Sequence, residues 1–220
     1  PTRRSSDLSM KRFIDTIKNI FKIEELRNRI VYTILLLVVY RLGSFVVIPG
    51  IDPTQLANLQ SQAASGLVGL LDMFSGGAFG NASIFALGVM PYISASIVIQ
   101  LLGVMVPYFQ RLQREGESGR RKMSQWTRDL TIAILAIQGP AYITNLHSQL
   151  PEAAFLVKGF SYNIFATIVL IGGTMFIMWL GERITDRGLG NGISLIIMVG
   201  IIARLPFALI AEFGTRFGQT

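Results

Sequence analysis

Thirty-eight consecutive residues, 73–110, carry no charged side chain, and two further uncharged runs, 130–151 and 159–181, extend over 22 and 23 residues. A helix on the surface of a soluble domain needs one polar face. Runs of this length leave nowhere to put it. Only 15% of the 220 residues are charged, against about 25% in an ordinary soluble domain. A conventional water-soluble enzyme and a disordered basic tail are both excluded.

Cysteine is absent and His147 is the single histidine. Disulfide scaffolds, thiolate metal sites, haem ligation by paired histidines and thiol or serine–histidine catalysis go with them. No cluster of acids falls at membrane depth, so no metal or cofactor is expected.

A bilayer core is about 30 Å thick and takes roughly 20 apolar residues to cross as a helix. Five stretches qualify: 30–48, 84–106, 130–146, 162–180 and 193–211. The third is short, and Arg204 and Pro206 blur the outer end of the fifth. Arg41 lies within the first. A central arginine costs about 2.5–3.5 kcal/mol on the insertion scale. The thirteen Leu, Ile, Val and Phe residues of that stretch return roughly 0.3–0.6 kcal/mol each. Insertion stays favoured by about 1 to 5 kcal/mol, with Arg41 snorkelling or facing protein.

The connections sort by charge. Eight Lys or Arg precede residue 30, six lie in 107–129, and Arg183 and Arg187 lie in 181–192. With five spans these sixteen share one side; Lys158, Arg204 and Arg216 are the three on the other. The positive-inside rule then puts the N-terminus in the cytoplasm and segment 212–220 outside. Residues 1–9 precede the first methionine, Met10, and read as an engineered or sequencing remnant. Over 10–29, Phe13, Ile17, Ile20 and Phe21 recur at helical spacing among lysines. That fits an amphipathic helix in the cytoplasmic interface, or a solvated basic lead-in.

Segment 67–80 is apolar, too short to span, and broken by Gly76, Gly77 and Gly80. A re-entrant half-helix fits if protein shields it; a surface loop or a Gly-xxx-Gly packing face fits the same composition. Pro91 should kink the second span. Ser94, Ala95 and Ser96 beyond it allow close helix approach, for static packing or for a helix that must part from its neighbour. Val89 and Ile93, and Ile193 and Ile197, are each four apart and share a helical face. Such pairs pack or face lipid, or form a constriction that seals by dewetting. The glycines at 188, 190 and 192 follow a span rather than a strand and lack a P-loop lysine. They read as a flexible cytoplasmic turn. The basic stretch 115–122 serves as a topology signal or as a docking surface, with phosphate contacts to ribosomal RNA open to it.

Several stretches together resemble one family. They are MFSGGA from Met73, ASIFALG from Ala82, MPYISASI from Met90, EGESGRRK from Glu115, and GTMFIMWLGERITDRGLGNGIS from Gly173. The chain resembles the N-terminal half of the SecY family, the channel subunits of bacterial protein translocation, over residues 10–216. The resemblance implies an all-α polytopic membrane protein. Five transmembrane helices would form one half of a pseudo-symmetric, inverted-repeat, ten-helix channel with a short re-entrant plug helix. It implies a pore ring of Val89, Ile93, Ile193 and Ile197, with valine at 89 where the family commonly has isoleucine. It implies a plug with Leu67, Leu70, Met73, Phe74, Ser75, Gly76 and Gly77, displaced at modest cost. Ser94 and Ile97 would lie on the lateral gate and meet signal sequences, and Arg120, Arg121 and Lys122 would contact cytoplasmic partners. Implied partners are the SecE and SecG membrane subunits, the SecA ATPase, the ribosome, unfolded secretory chains and lipid. Implied location is the bacterial inner membrane. Because the second half of such a ring is not in this sequence, the chain reads as a fragment or split chain that does not translocate alone. Half of an inverted-repeat secondary transporter is the alternative, though transporters usually carry ionisable midplane side chains. A membrane-embedded enzyme lacks any catalytic constellation here.

Overall fold

The helices of this chain run past the points where its hydropathy ends. The computed structural model describes residues 22–56, 66–157 and 159–217. Within them lie seven α-helices: α1 Glu24–Gly43, α2 Gly66–Phe74, α3 Met90–Met105, α4 Pro107–Arg114, α5 Glu117–Gln149, α6 Phe160–Arg187 and α7 Gly192–Phe217. Two 3₁₀ turns, Pro53–Leu56 and Glu152–Ala154, sit in the connections. The remnant expected at 1–9 and most of the interfacial helix expected at 10–29 lie outside the described residues.

Four boundaries differ from expectation for physical reasons. Residues 24–29 belong to α1, where Arg29 bonds Glu25 at 3.0 Å one turn away. Residues 107–129 are not a loop. They form α4 and the first turns of α5, which Glu117 and Arg121 support at 2.7 Å. Residues 181–187 continue α6, and residues 212–217 continue α7. Charge ends a membrane-compatible stretch without ending a helix, because Glu, Lys and Arg are good helix formers. The kink expected at Pro91 does not form either. Pro91 sits in the first turn of α3, where its missing N–H removes no helical bond. Residues 84–89 are turns instead, tied by Ile84 N–H to the Val46 carbonyl at 2.9 Å and Gly88 N–H to Phe85 at 2.8 Å. The sharp bend comes later: α3 and α4 meet at 98° across Val106.

Among the described residues, α6 alone is long and apolar enough by itself to cross a membrane. The bent pair α3–α4 reaches that standard only if counted together, and 192–203 of α7 form a shorter apolar helix.

Two ends of the bundle are tied by hydrogen bonds. At one end, Ile51 pairs with Phe155 in an antiparallel bridge, and Asp52 N–H donates to Ala154 at 2.9 Å. Asp52 also accepts from the Thr54 N–H (2.9 Å) and hydroxyl (2.8 Å). These donors hold its carboxyl below the usual carboxylate range, so the turn keeps its cap until the pH falls below an ordinary aspartate titration. At the other end, Thr33 accepts from Leu189 N–H at 3.1 Å and donates to the Arg29 carbonyl at 2.8 Å. Arg128 grips Glu182 there with two bonds, 3.1 and 2.6 Å, joining α5 to α6. The N-terminal halves of α1 and α5 therefore lie at the end of the bundle that holds the α6–α7 turn, and it is the basic one. The turn at 188–192 is clamped rather than flexible. Gly192 N–H donates to the Thr185 hydroxyl (2.9 Å), and the Asn191 side chain accepts from Ser194 N–H (3.2 Å), capping α7.

The core is in two parts. One, nearer the Ile51–Phe155 bridge, gathers Ile48, Ile51, Ala86, Ile143, Leu146, Tyr162 and Leu170. The other gathers Leu36, Tyr40, Phe85, Val89, Ile177, Leu180, Ile184 and Ile196. Between them Gly173 lets α6 touch backbone, since a Cβ there would run into the Ile84 carbonyl. Gly173→Val should therefore force the 84–89 turns off α6, at a cost of about 1–3 kcal/mol or more. Thermal unfolding in detergent checks this, and a melting point equal to that of the unsubstituted protein would remove the close contact from consideration.

Candidate pore face, plug turn and gate cleft

The four aliphatic candidates border one core. Val89 is the residue that precedes α3, and Ile93 N–H bonds its carbonyl at 3.0 Å, so the pair spans one helical turn. Ile193 and Ile197 occupy the first two turns of α7. Val89 is buried in the second core, and Ile93, Ile193 and Ile197 pack on it while remaining partly open. Ile193 reaches this position because Gly181 leaves room for its δ carbon. Ile197 also lines a shallow apolar groove with Ser194, Met198, Ile201 and Ile202.

Beside this cluster lies the glycine-rich segment. It is no surface loop: Ser75, Gly76, Gly77 and Ala78 are buried. Helix α2 ends at Phe74 and the chain folds into consecutive turns. Gly77 N–H bonds the Asp72 carbonyl at 2.8 Å, Phe79 N–H bonds the Ser75 hydroxyl at 3.0 Å, and Gly80 N–H bonds the Asp72 carboxylate at 2.7 Å. Gly76 has φ +66°, a conformation that disfavours a side chain. A Cβ there would also meet Gly200 on α7 at 3.0 Å.

Two neighbouring helices hold the turn by its carbonyls. From α1, the Tyr40 hydroxyl donates to Ser75 at 3.2 Å and Arg41 Nη1 donates to Gly76 at 2.5 Å. From α5, the Tyr142 hydroxyl donates to Phe79 at 2.9 Å. Arg41 lies in the last turn of α1, not at its middle, and its guanidinium covers the Phe45 ring at 5.3 Å. It faces protein rather than lipid. By contrast α2 exposes Leu70 and Met73, with Phe74 half-buried; the side chain of Leu67 is outside the described set. The segment is thus anchored firmly at its turn and lightly along its helix.

Ser94 and Ile97 are both exposed on α3, on one face, with the Ser94 hydroxyl donating to Met90 at 3.1 Å. Ser94 lines a cleft of about 320 Å³ whose other walls include Leu71 and Phe79 of the glycine-rich segment and Gln138, Tyr142 and Asn145 of α5. The cleft joins the segment, α3 and α5, which residue-by-residue reading missed. Gln138 and Asn145, seven apart in an uncharged run, were its legible signal. Arg120, Arg121 and Lys122 are exposed near the start of α5, away from these features, with Arg121 bonded to Glu117. Among the described residues no group of three His, Asp or Glu side chains is placed to hold a metal.

The family model described as SecY matches residues 83–218, more than half of the chain. A protein translocase subunit SecY of Escherichia coli K12 is 50% identical over 186 residues, covering 84% of this chain and 42% of that protein. That of Buchnera aphidicola subsp. Acyrthosiphon kondoi is 51% identical over 187 residues, covering 84% and 52%, and that of Rickettsia conorii is 47% identical over 191 residues, covering 86% and 44%. The chain spans about half the length of these curated relatives. Among solved structures, one described as a protein conducting channel superimposes with a TM-score of 0.50 at 19% identity, covering 79% of this chain and 36% of that one. Sec61 in the canine ribosome-channel complex from the endoplasmic reticulum gives the same values. With a family model matching more than half of its length, the chain belongs to the SecY family.

Proposed function

We propose that this chain forms one half of a protein-conducting channel that passes unfolded polypeptides across, or sideways into, the bacterial inner membrane. The observation that carries it is that two aliphatic pairs, at α3 and α7, border one core beside a glycine-rich turn. Aliphatic side chains offer no directional hydrogen bonds, so a ring of them closes on varied chains and excludes ions by dewetting. Val89, Ile93, Ile193 and Ile197 take the role of ring, and 67–80 that of plug. Ser94 and Ile97 face the gate, where a signal sequence would lie. The transporter alternative gains no support from the relatives, and Arg41 is spent on the Gly76 carbonyl rather than on a coupling site.

Five spans, built on α1, α3, α5, α6 and α7, place the basic end in the cytoplasm. The hydrogen bonds that tie the N-terminal halves of α1 and α5 to the α6–α7 turn and the end of α6 support this arrangement. Arg120, Arg121 and Lys122 would there meet SecA or a ribosome, with SecE and SecG as membrane partners and the energy supplied by the motor. Cysteines at Ser118 and Pro49, both exposed, should label from opposite faces of the membrane in the full-length protein. Labelling of both from one face would break the five-span model.

A further inference from the structure

Among the described residues, three of the four salt bridges lie within one helix, and Arg128–Glu182 alone crosses between two, from α5 to α6. Its geometry is bidentate. Arg128 Nε donates to one Glu182 oxygen at 3.1 Å and Nη2 to the other at 2.6 Å. Such a fork fixes direction as well as distance. The two side chains stay 44% and 29% exposed, so the pair adds only modestly to overall stability. Its weight lies in what Glu182 sits beside.

Glu182 follows directly on Gly181, the notch that admits Ile193. A Cβ at Gly181 would run into the Ile193 δ carbon, and one at Gly192 would run into the Gly181 carbonyl. The backbone of α6 at 181 and the start of α7 are therefore in direct contact. The Thr185 hydroxyl stitches them together: it donates to the Gly181 carbonyl at 2.9 Å and accepts from Gly192 N–H at 2.9 Å. Residues 181–185 of α6 thus form the seat of Ile193, and Arg128 holds that seat from α5. Ile193 also borders a polar recess of about 320 Å³, with Tyr92, Arg128 and Glu182 among its walls. It stands between a recess that admits water and the aliphatic core around Val89. A shift of Ile193 would open a wet path to a face that excludes ions only while it is dry.

We propose that Arg128 and Glu182 are positioning residues for the aliphatic ring: their ion pair pins residues 181–185 of α6, so that Ile193 keeps the polar recess apart from the channel path. The proposal rests on the reading of Ile193 as a ring residue.

The test uses the full-length subunit within its membrane complex and takes two readouts. One is amide exchange over residues 189–195, where Thr185 holds the Gly192 N–H; the other is resting conductance in planar bilayers. R128Q and E182Q should each raise both by about three- to fivefold, the worth of a half-open pair of good geometry. R128Q/E182Q should do no more than either alone, since each single variant already loses the same interaction. R128K keeps the charge without the fork and should fall between parent and R128Q. The charge-exchanged variant R128E/E182R should bring both readouts back toward the parent. Unchanged exchange in R128Q and E182Q overturns the proposal alone and leaves the ring to be judged on Ile93 and Ile197. Faster exchange with unchanged conductance overturns the ring reading, and the proposal with it. If the charge-exchanged variant restores neither readout and R128K is no better than R128Q, the effect belongs to packing and the proposal falls.

Discussion

Asparagine at Ile93 or Ile197 will make the full-length channel leak ions at rest, by about tenfold for each substitution. Both residues pack against the core that buries Val89 and both remain partly open. They are therefore placed to meet whatever occupies the space beside α3 and α7. A dry constriction resists ions because entering it strips solvation without replacement. Burying an isoleucine is worth about 1.5–3 kcal/mol relative to exposing it, and an amide in its place gives water a partner and reverses that preference. A barrier lowered by about 1.4 kcal/mol passes ions tenfold faster. Ile93→Leu keeps volume and dryness and should leave conductance near its original value. Planar-bilayer recording on the reconstituted channel reads the difference. Unchanged conductance in both asparagine variants, with normal assembly, would sink the ring assignment. On the proposed role, signal-sequence selectivity should loosen in parallel, because such a ring would have to part before a chain entered.

The membrane character was legible without coordinates because charge spacing and hydropathy are one-dimensional patterns, whereas the four aliphatic positions were singled out by the family resemblance, since a period of four alone marks any packed or lipid-facing pair. The ends of helices were not. Hydropathy reports where lipid would be tolerated, and α5 extends thirteen residues beyond that limit into a charged stretch that is helical for its own reasons, from 117 rather than 130. Pro91 shows the same ambiguity from the other side. A proline inside an apolar run marks either a kink or a start, and the turns at 84–89 decide for a start only because Val46 and Gly173 are there to receive them. The role of Arg41 depended on a partner thirty-five residues away, which no local pattern names. The cleft beside Ser94 lies between the two: Gln138 and Asn145 were visible as polar residues of one face, but the segment they meet was not.

Removing Arg41 will release the glycine-rich turn. The single bond from Arg41 to the Gly76 carbonyl is charge-assisted and partly buried. Such bonds contribute about 1.5–3 kcal/mol. Arg41→Ala therefore shifts the balance between seated and displaced turn by roughly ten- to a hundredfold. Tyr142→Phe, which removes a neutral bond to Phe79, should shift it by about tenfold at most. A thiol at Ser75, buried at 2% exposure, reports displacement by its rate of maleimide labelling, and resting conductance reports it independently. Failure to enter the membrane does not mimic the effect. Taking an arginine out of a spanning stretch lowers the insertion cost rather than raising it, so Arg41→Ala should insert at least as well as the parent. Arg41→Lys separates charge from geometry. A lysine keeps a donor but loses the planar group that covers Phe45 while reaching Gly76, and it should fall between parent and alanine. If alanine leaves both labelling and conductance unchanged, the turn is held by its own internal bonds through Asp72 and Ser75. The arginine would then only fill space at the end of α1. If both rise together, the side chain that looked like the one misplaced charge in the first span is the latch of the plug.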